Sequence, residues 1–276
     1  MKHTYLFLIG LLLSFSACKT DSRESNKQKE KSISQATVSE ATSNTPLATG
    51  LIKNLTTDYC MGKFEPVNHE DFELIPTQYA DRGGLYLRKD VLEAYIKMYN
   101  AAKKDGIALQ IRSATRNFNY QKGIWERKWT GATKLSDGTN AAKDIQNPVE
   151  RALKILEYSS MPGTSRHHWG TDIDLNSFSN AYFEKGEGKL IYDWLSNNAA
   201  TYGFCQSYTP KGSERPTGYN EEKWHWTYQV LGKEITLYAR QNLKNAMITG
   251  FQGAETAGVV DVVGNYVLGI NQECNR

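Results

Sequence analysis

Histidine and cysteine are scarce in this chain: its 276 residues hold five histidines and four cysteines. No two cysteines form a Cys-x-x-Cys pair, which argues against a zinc ribbon. Basic residues are scattered rather than clustered and the formal net charge is only +3, so a nucleic-acid partner is not expected. No internal repeat is present, and no second linker interrupts residues 51–276. These residues are dense in aromatics and long enough to bury a sizeable core, so one domain is expected there.

The amino-terminal stretch reads differently. Lys2 is followed by an apolar run over residues 5–15, and the small residues Ser16 and Ala17 precede Cys18. That pattern is a secretory signal over residues 1–17, too short for a spanning helix. A cysteine directly after small residues resembles a bacterial lipobox, although Phe15 stands where an aliphatic residue is usual. The expectation is an exported protein, held on a membrane by a lipid on Cys18 and facing the periplasm or cell exterior. Residues 19–50 contain no aromatic residue and are rich in Ser, Thr, Lys and Glu. They bury too little apolar surface to offset their ordering entropy, so 18–50 reads as a disordered tether with a mean span of about 30 Å. Of the other cysteines, Cys60, Cys205 and Cys274, any two could pair after export, and spacing does not choose among the pairings.

Periodicity gives the elements of the domain. Residues 88–106 predict a helix, with Asp90 as a capping residue and an apolar stripe through Val91, Leu92, Tyr95, Met98, Tyr99 and Ala102. Alternation over 107–112 predicts a strand. Helices are predicted over 118–129, over a short segment opened by Pro148, and over 189–203, with a polar insertion at 131–147. Strands are predicted at 171–175, 204–208 and 224–229, and a closing helix at 233–248. Helices and strands mix without a regular βαβ period. The expected fold is therefore α+β, with helices packed on a small, mostly antiparallel sheet, followed by a carboxy-terminal extension from about residue 230.

The chemistry concentrates in "SRHHWGTDIDL", residues 165–175. His3 falls in the signal, and His69 stands alone in a polar loop where solvation is expected. That leaves His167, His168 and His225 as metal donors. Asp172 and Asp174 are two apart, so on a strand they share a face. Gly170 permits a tight turn between the histidines and that strand. Either His167 or His168 could meet Asp174 across the turn, with His225 as a third donor. Three protein donors and an open position are what a hydrolytic zinc site needs. Glu222, three residues before His225, is placed to act as base. A buried His–Asp pair without metal is the competing reading of the same spacing.

Ser-Arg-His-His-Trp-Gly-Thr-Asp-Ile-Asp resembles the Ser-x-His-x-x-Gly-x-x-x-Asp signature of the VanY-type D-alanyl-D-alanine carboxypeptidases. Glu-Lys-Trp-His-Trp resembles that family's Glu-x-Trp-His, and Ser-Ala-Thr-Arg-Asn-Phe-Asn-Tyr-Gln resembles its Ser-x-x-Arg segment followed by Gln. The three motifs occur in the family's order between about Lys63 and Tyr228. The resemblance implies one Zn2+ held by His167, Asp174 and His225, selecting His167 over His168. It implies Glu222 as general base, Arg116 facing the scissile carbonyl, and Gln121 and Ser165 lining the substrate cleft. Trp169, Trp224 and Trp226 are candidate cleft walls, with a core role favoured for Trp226. Trp125, Trp129 and Trp194 are expected in the core. Asp172 departs from the family's usual alanine; it could orient a ligand ring, bind a substrate amine or face solvent.

The implied activity is a zinc carboxypeptidase removing the terminal D-alanine from peptidoglycan stem peptides. An L,D-carboxypeptidase, a dipeptidase, an endopeptidase or a non-catalytic wall-binding module on the same scaffold are the alternatives. An intact base at Glu222 speaks against the last. The sequence leaves the oligomeric state open.

Overall fold

A computed structural model describes Gly50 and residues 52–276. The expected signal, Cys18 and all of the tether before Gly50 lie outside the described residues.

In chain order the elements are α1 (Thr57–Cys60), β1 (Phe72–Leu74), β2 (Tyr86–Arg88), α2 (Lys89–Lys104), β3 (Ile111–Ser113), α3 (Phe118–Trp129), α4 (Ala141–Asp144), α5 (Pro148–Ile155), β4 (Asp172–Leu175), α6 (Gly186–Asn198), β5 (Phe204–Gln206), β6 (His225–Tyr228) and α7 (Gln229–Asn242). The fold is α+β. β1 and β2 form an antiparallel pair, and the main sheet runs β3-β4-β6-β5 with every neighbour antiparallel. Its central strands are short and buried on both faces, Asp172–Leu175 without an exposed residue. Among the described residues no helix is long and apolar enough to cross a membrane.

Local chemistry explains most boundaries. Asn117 caps α3 by accepting from the Tyr120 amide at 2.8 Å. Asn147 caps α5 through the Val149 and Glu150 amides, and Pro148 takes the first helical position, where no amide hydrogen is needed. Trp125, Trp129 and Trp194 are buried as expected.

Four expectations need correction. Asp90 does not cap α2: Arg88 holds the cap position, and Asp90 lies in the first turn, where it accepts from Val91 and pairs with Arg88. The strand predicted at 107–112 begins only at Ile111. Upstream, the Asn176 side chain donates to Ala108 O at 2.8 Å and accepts from the Gln110 amide at 3.3 Å, taking groups a ladder would use. The final helix starts at Gln229 and ends at Asn242, and residues 243–276 continue as irregular turns rather than ending the domain. His69 is not an isolated solvated ring; it packs among Tyr59, Phe64 and Phe72.

The carboxy-terminal segment spans from α3 to the sheet edge. Phe251 packs on Phe118 and Trp125, and the Trp125 indole donates to Gln252 O at 2.8 Å. Farther on, the Asn271 amide donates to Ser207 O, and Cys274 forms a disulfide with Cys205 on β5. Cys60 is free and buried.

Candidate metal centre and cleft

Register places the first two donors. β4 and β6 pair with Asp174 directly opposite His225 and Asp172 opposite Thr227. The third arrives on the tight turn Arg166–Trp169, which ends at Gly170 in the left-handed conformation, φ 73° and ψ 12°. A Cβ on Gly170 would come within 2.4 Å of the Phe72 ring, so the turn needs glycine for both space and backbone.

Hydrogen bonds fix both ligand rings. His167 Nδ1 lies 2.8 Å from Ala114 O; a carbonyl only accepts, so Nδ1 carries the hydrogen and Nε2 presents a lone pair. His225 Nε2 lies 2.8 Å from Asp172 Oδ2, so its hydrogen also points outward and Nδ1 faces the cluster. His167 Nε2 is 3.2 Å from Asp174 Oδ2, and His225 Nδ1 is 3.2 Å from Asp174 Oδ1 and 3.1 Å from Glu222 Oε2. The candidate ligand atoms of His167, Asp174 and His225 all lie within 4.8 Å of one another.

With His225 neutral, acceptors converge here with no donor among them. His167 Nε2 and Asp174 Oδ1 are buried and lack a hydrogen-bond partner. An orphaned buried polar atom costs about 1–3 kcal/mol, so the arrangement is favourable only around a positive charge. Tetrahedral zinc with bonds of about 2.0–2.2 Å spaces its ligands about 3.4 Å apart, close to the separations seen. The residues therefore fit a metal ion with three protein ligands and one open position.

The local field agrees. Burial disfavours a charged His225, but hydrogen bonds to Asp172, Asp174 and Glu222 outweigh it and raise the pKa well above the usual value. Those three carboxylates thus favour positive charge at this point, whether proton or metal ion. Burial, then Arg116, lowers the His167 pKa and keeps that ring neutral. Burial also opposes ionisation of Asp174, but His167 and His225 overcome it and hold the carboxyl well below its usual range. Glu222 moves the other way, raised by burial against the pull of His225.

His168 stands outside the cluster. Its Nδ1 lies 2.6 Å from Arg116 O, and its Nε2 accepts from the Gly163 amide at 3.1 Å. Burial pushes its pKa down to about 3, so it serves as a neutral strut between two loops. The backbone of Arg116 is thereby tied to both histidines, since its amide donates to His167 O.

The cluster lies on a cleft of about 460 Å³. His167, Asp174, His225, Glu222, Arg116, Gln121, Ser165 and Trp224 all line it. Polar atoms left unpaired on its walls include Arg116 Nε, Gln121 Oε1, Ser165 Oγ and the Tyr219 hydroxyl. Gln121 commits one amide hydrogen to Ser160 O at 2.8 Å, so it offers the cleft a carbonyl oxygen as well as its second hydrogen.

Asp172 is not a substrate contact. It is fully buried beneath His225, also holding Arg166 at 3.1 Å and the hydroxyls of Thr171 and Thr227 at 2.7 Å. Its position explains the departure from alanine: it orients the His225 ring and neutralises Arg166. Trp169 is not a cleft wall either. It is buried with the Arg166 guanidinium over its ring, and its indole donates to Cys60 O. Trp226 is buried, its indole donating to Lys223 O, as the core reading expects.

Several cleft residues had no sequence signal. Tyr208 and Tyr219 come from the 204–224 region and pack edge-to-face on each other, with Tyr208 also edge-to-face on His225. Tyr158 and Phe178 flank Trp224 from separate loops. Lys128 was findable: it lies two helical turns after Gln121, on the same face of α3.

The family profile described as VanY, D-alanyl-D-alanine carboxypeptidase, matches residues 84–232. YodJ of Bacillus subtilis (strain 168), a carboxypeptidase by name, is 31% identical over 163 residues. That match covers 57% of this chain and 50% of YodJ, so the chain spans about half the length of this relative. Among solved structures, the LdcB LD-carboxypeptidase aligns with TM-score 0.46 and 22% identity, covering 72% of this chain and 76% of that one. VanYB in complex with D-alanine-D-alanine aligns with TM-score 0.45 and 24% identity, covering 63% of this chain and 87% of that one.

Proposed function

This chain belongs to the VanY family of D-alanyl-D-alanine carboxypeptidases, and from that premise we propose that it removes the terminal D-alanine from peptidoglycan stem peptides with one bound zinc ion. The observation that carries the zinc reading is the convergence of three buried lone-pair donors, His167 Nε2, His225 Nδ1 and Asp174, with a fourth acceptor at Glu222. His167, Asp174 and His225 would hold the zinc, whose chemistry there would be that of a Lewis acid toward the attacking water and the scissile carbonyl.

The chain's own residues do the rest. Glu222, buried and with a raised pKa, takes the proton of the attacking water. It then returns that proton to the amine of the departing residue. Arg116 lines the cleft with Nε unpaired, so it has hydrogen-bonding capacity in reserve for the charge that develops on the carbonyl oxygen. Loss of one such donor typically raises the barrier by about 3 kcal/mol. Ser165 Oγ and the second amide hydrogen of Gln121 are the neutral donors for the substrate's free carboxylate. Asp172 fixes the tautomer of His225, and Ala114 O fixes that of His167.

A wall substrate requires the enzyme outside the cytoplasm. The signal-like start and Cys18 support export and lipid anchoring, with the polar segment after Cys18 letting the domain reach the wall.

Metal dependence tests the chemistry. Dialysis against a strong chelator is expected to abolish peptide hydrolysis, and one equivalent of zinc per chain to restore it. Full activity in a preparation shown by elemental analysis to be metal-free contradicts the proposal.

A further inference from the structure

The cleft is electrically divided. Among the described residues its lining carboxylates are Asp174 and Glu222, both at the metal point. Three cations line it, and one of them, Arg166, is already paired with Asp172. Arg116 and Lys128 remain, and among the described residues neither has a carboxylate oxygen within 4.0 Å. In the proposed reaction Arg116 faces the scissile carbonyl. Lys128 has no assigned role, and its ammonium donates only to the neutral hydroxyl of Ser159.

A half-buried lysine with no carboxylate in contact is costly, because the loss of hydration is only partly repaid by the more distant Glu222. Burial, followed by the neighbouring Arg116, lowers its pKa below the usual lysine value. A surface lysine would turn its ammonium to water; this one instead turns it into the cleft. Its surroundings describe the missing partner. Gln121, Ile124 and Lys128 follow one face of α3 along the same wall. Ile124 offers an apolar contact between the two polar groups. Ser160 and Ser165 add hydroxyls beside them. A small apolar side chain next to a carboxylate fits that sequence of groups.

We infer that Lys128 is the counter-ion of the substrate's terminal carboxylate, and that it sets the preference for a free carboxy-terminus over an amidated or cross-linked one. The inference rests on the carboxypeptidase reading and names a specificity-determining residue within it.

Four kcat/KM values test it: zinc-loaded wild type and Lys128→Met, each on a stem pentapeptide ending in free D-alanine and on its carboxamide. Wild type is expected to prefer the acid by at least about tenfold, since a site built for a charged group leaves its donors unpaired on the amide. Lys128→Met is expected to lose about tenfold or more on the acid and less than about twofold on the amide, so the preference collapses. Lys128→Arg keeps the charge and should retain most of the preference. Zinc content and melting temperature confirm folding; if the methionine variant does not fold, Lys128→Gln serves the same cycle. An unchanged acid-to-amide ratio, or an equal loss on both peptides, overturns the role of Lys128 while leaving the carboxypeptidase reading intact. If wild type cuts neither peptide, or cuts both equally well, the carboxypeptidase reading fails and the pairing fails with it.

Discussion

Glu222 and Asp172 are both carboxylates within 3.1 Å of a His225 ring nitrogen, yet they sit on opposite sides of the ring and predict different losses. Glu222 faces the cleft. Glu222→Gln keeps its size and removes its basicity, so kcat should fall by about 10²–10⁴ with zinc still bound. Near-normal turnover in that variant would move the base to another group. Asp172 lies on the far side and touches no substrate. Asp172→Asn should weaken zinc binding by about 10–100-fold, read by competition with a chromogenic chelator, because the ring loses its charged acceptor. An unchanged affinity would contradict the orienting role. Much of this site was legible in the sequence. The spacing of residues 165–174 and of Glu222 and His225 located the donors, and the alternation of β4 put both aspartates on one face. Depth was not legible. Same-face alternation says nothing about which aspartate reaches the cleft and which lies under the neighbouring strand. The choice of His167 over His168 came from a motif match, and only the structure shows the cause: Arg116 O and the Gly163 amide occupy both nitrogens of His168.

At the level of elements, the carboxy-terminal segment braces one wall of the cleft. Phe251 and Gln252 hold α3, which carries Gln121 and Lys128, while Asn271 and Cys274 hold β5 beside the central strands. The Cys205–Cys274 disulfide spans 69 residues of sequence. Chain-entropy reasoning gives such a link about 4 kcal/mol, and Cys274→Ser should therefore lower the melting temperature by roughly 10 °C, measured by calorimetry. A melting temperature unmoved by the substitution would mean that packing alone secures the segment. Three thiols could not reveal this pairing, because it depends on where residues 243–276 fold back, and those residues carry no strong period. The helices were easier to see. Asn117 opens α3 and Asn147 with Pro148 opens α5, and each start signal is local in the chain. The strand predicted at 107–112 failed for the opposite reason: alternation permits a strand, but a distant residue, Asn176, took its hydrogen bonds.

For the whole molecule, the proposal joins a wall-directed active site to a membrane anchor. Cys18→Ser should shift the protein from the membrane fraction to the soluble exported fraction, because no acyl chain is then attached. A variant that stays membrane-bound and active would point to an uncleaved apolar segment instead. Incubation of the zinc-loaded protein with disaccharide pentapeptide muropeptides, followed by mass spectrometry of the products, reads the reaction itself. The proposed carboxypeptidase reaction releases a single D-alanine and accumulates the tetrapeptide, suppressed by chelator and by Glu222→Gln. Release of D-alanyl-D-alanine, cleavage within cross-linked peptides at an equal rate, or attack only on tetrapeptides would contradict it.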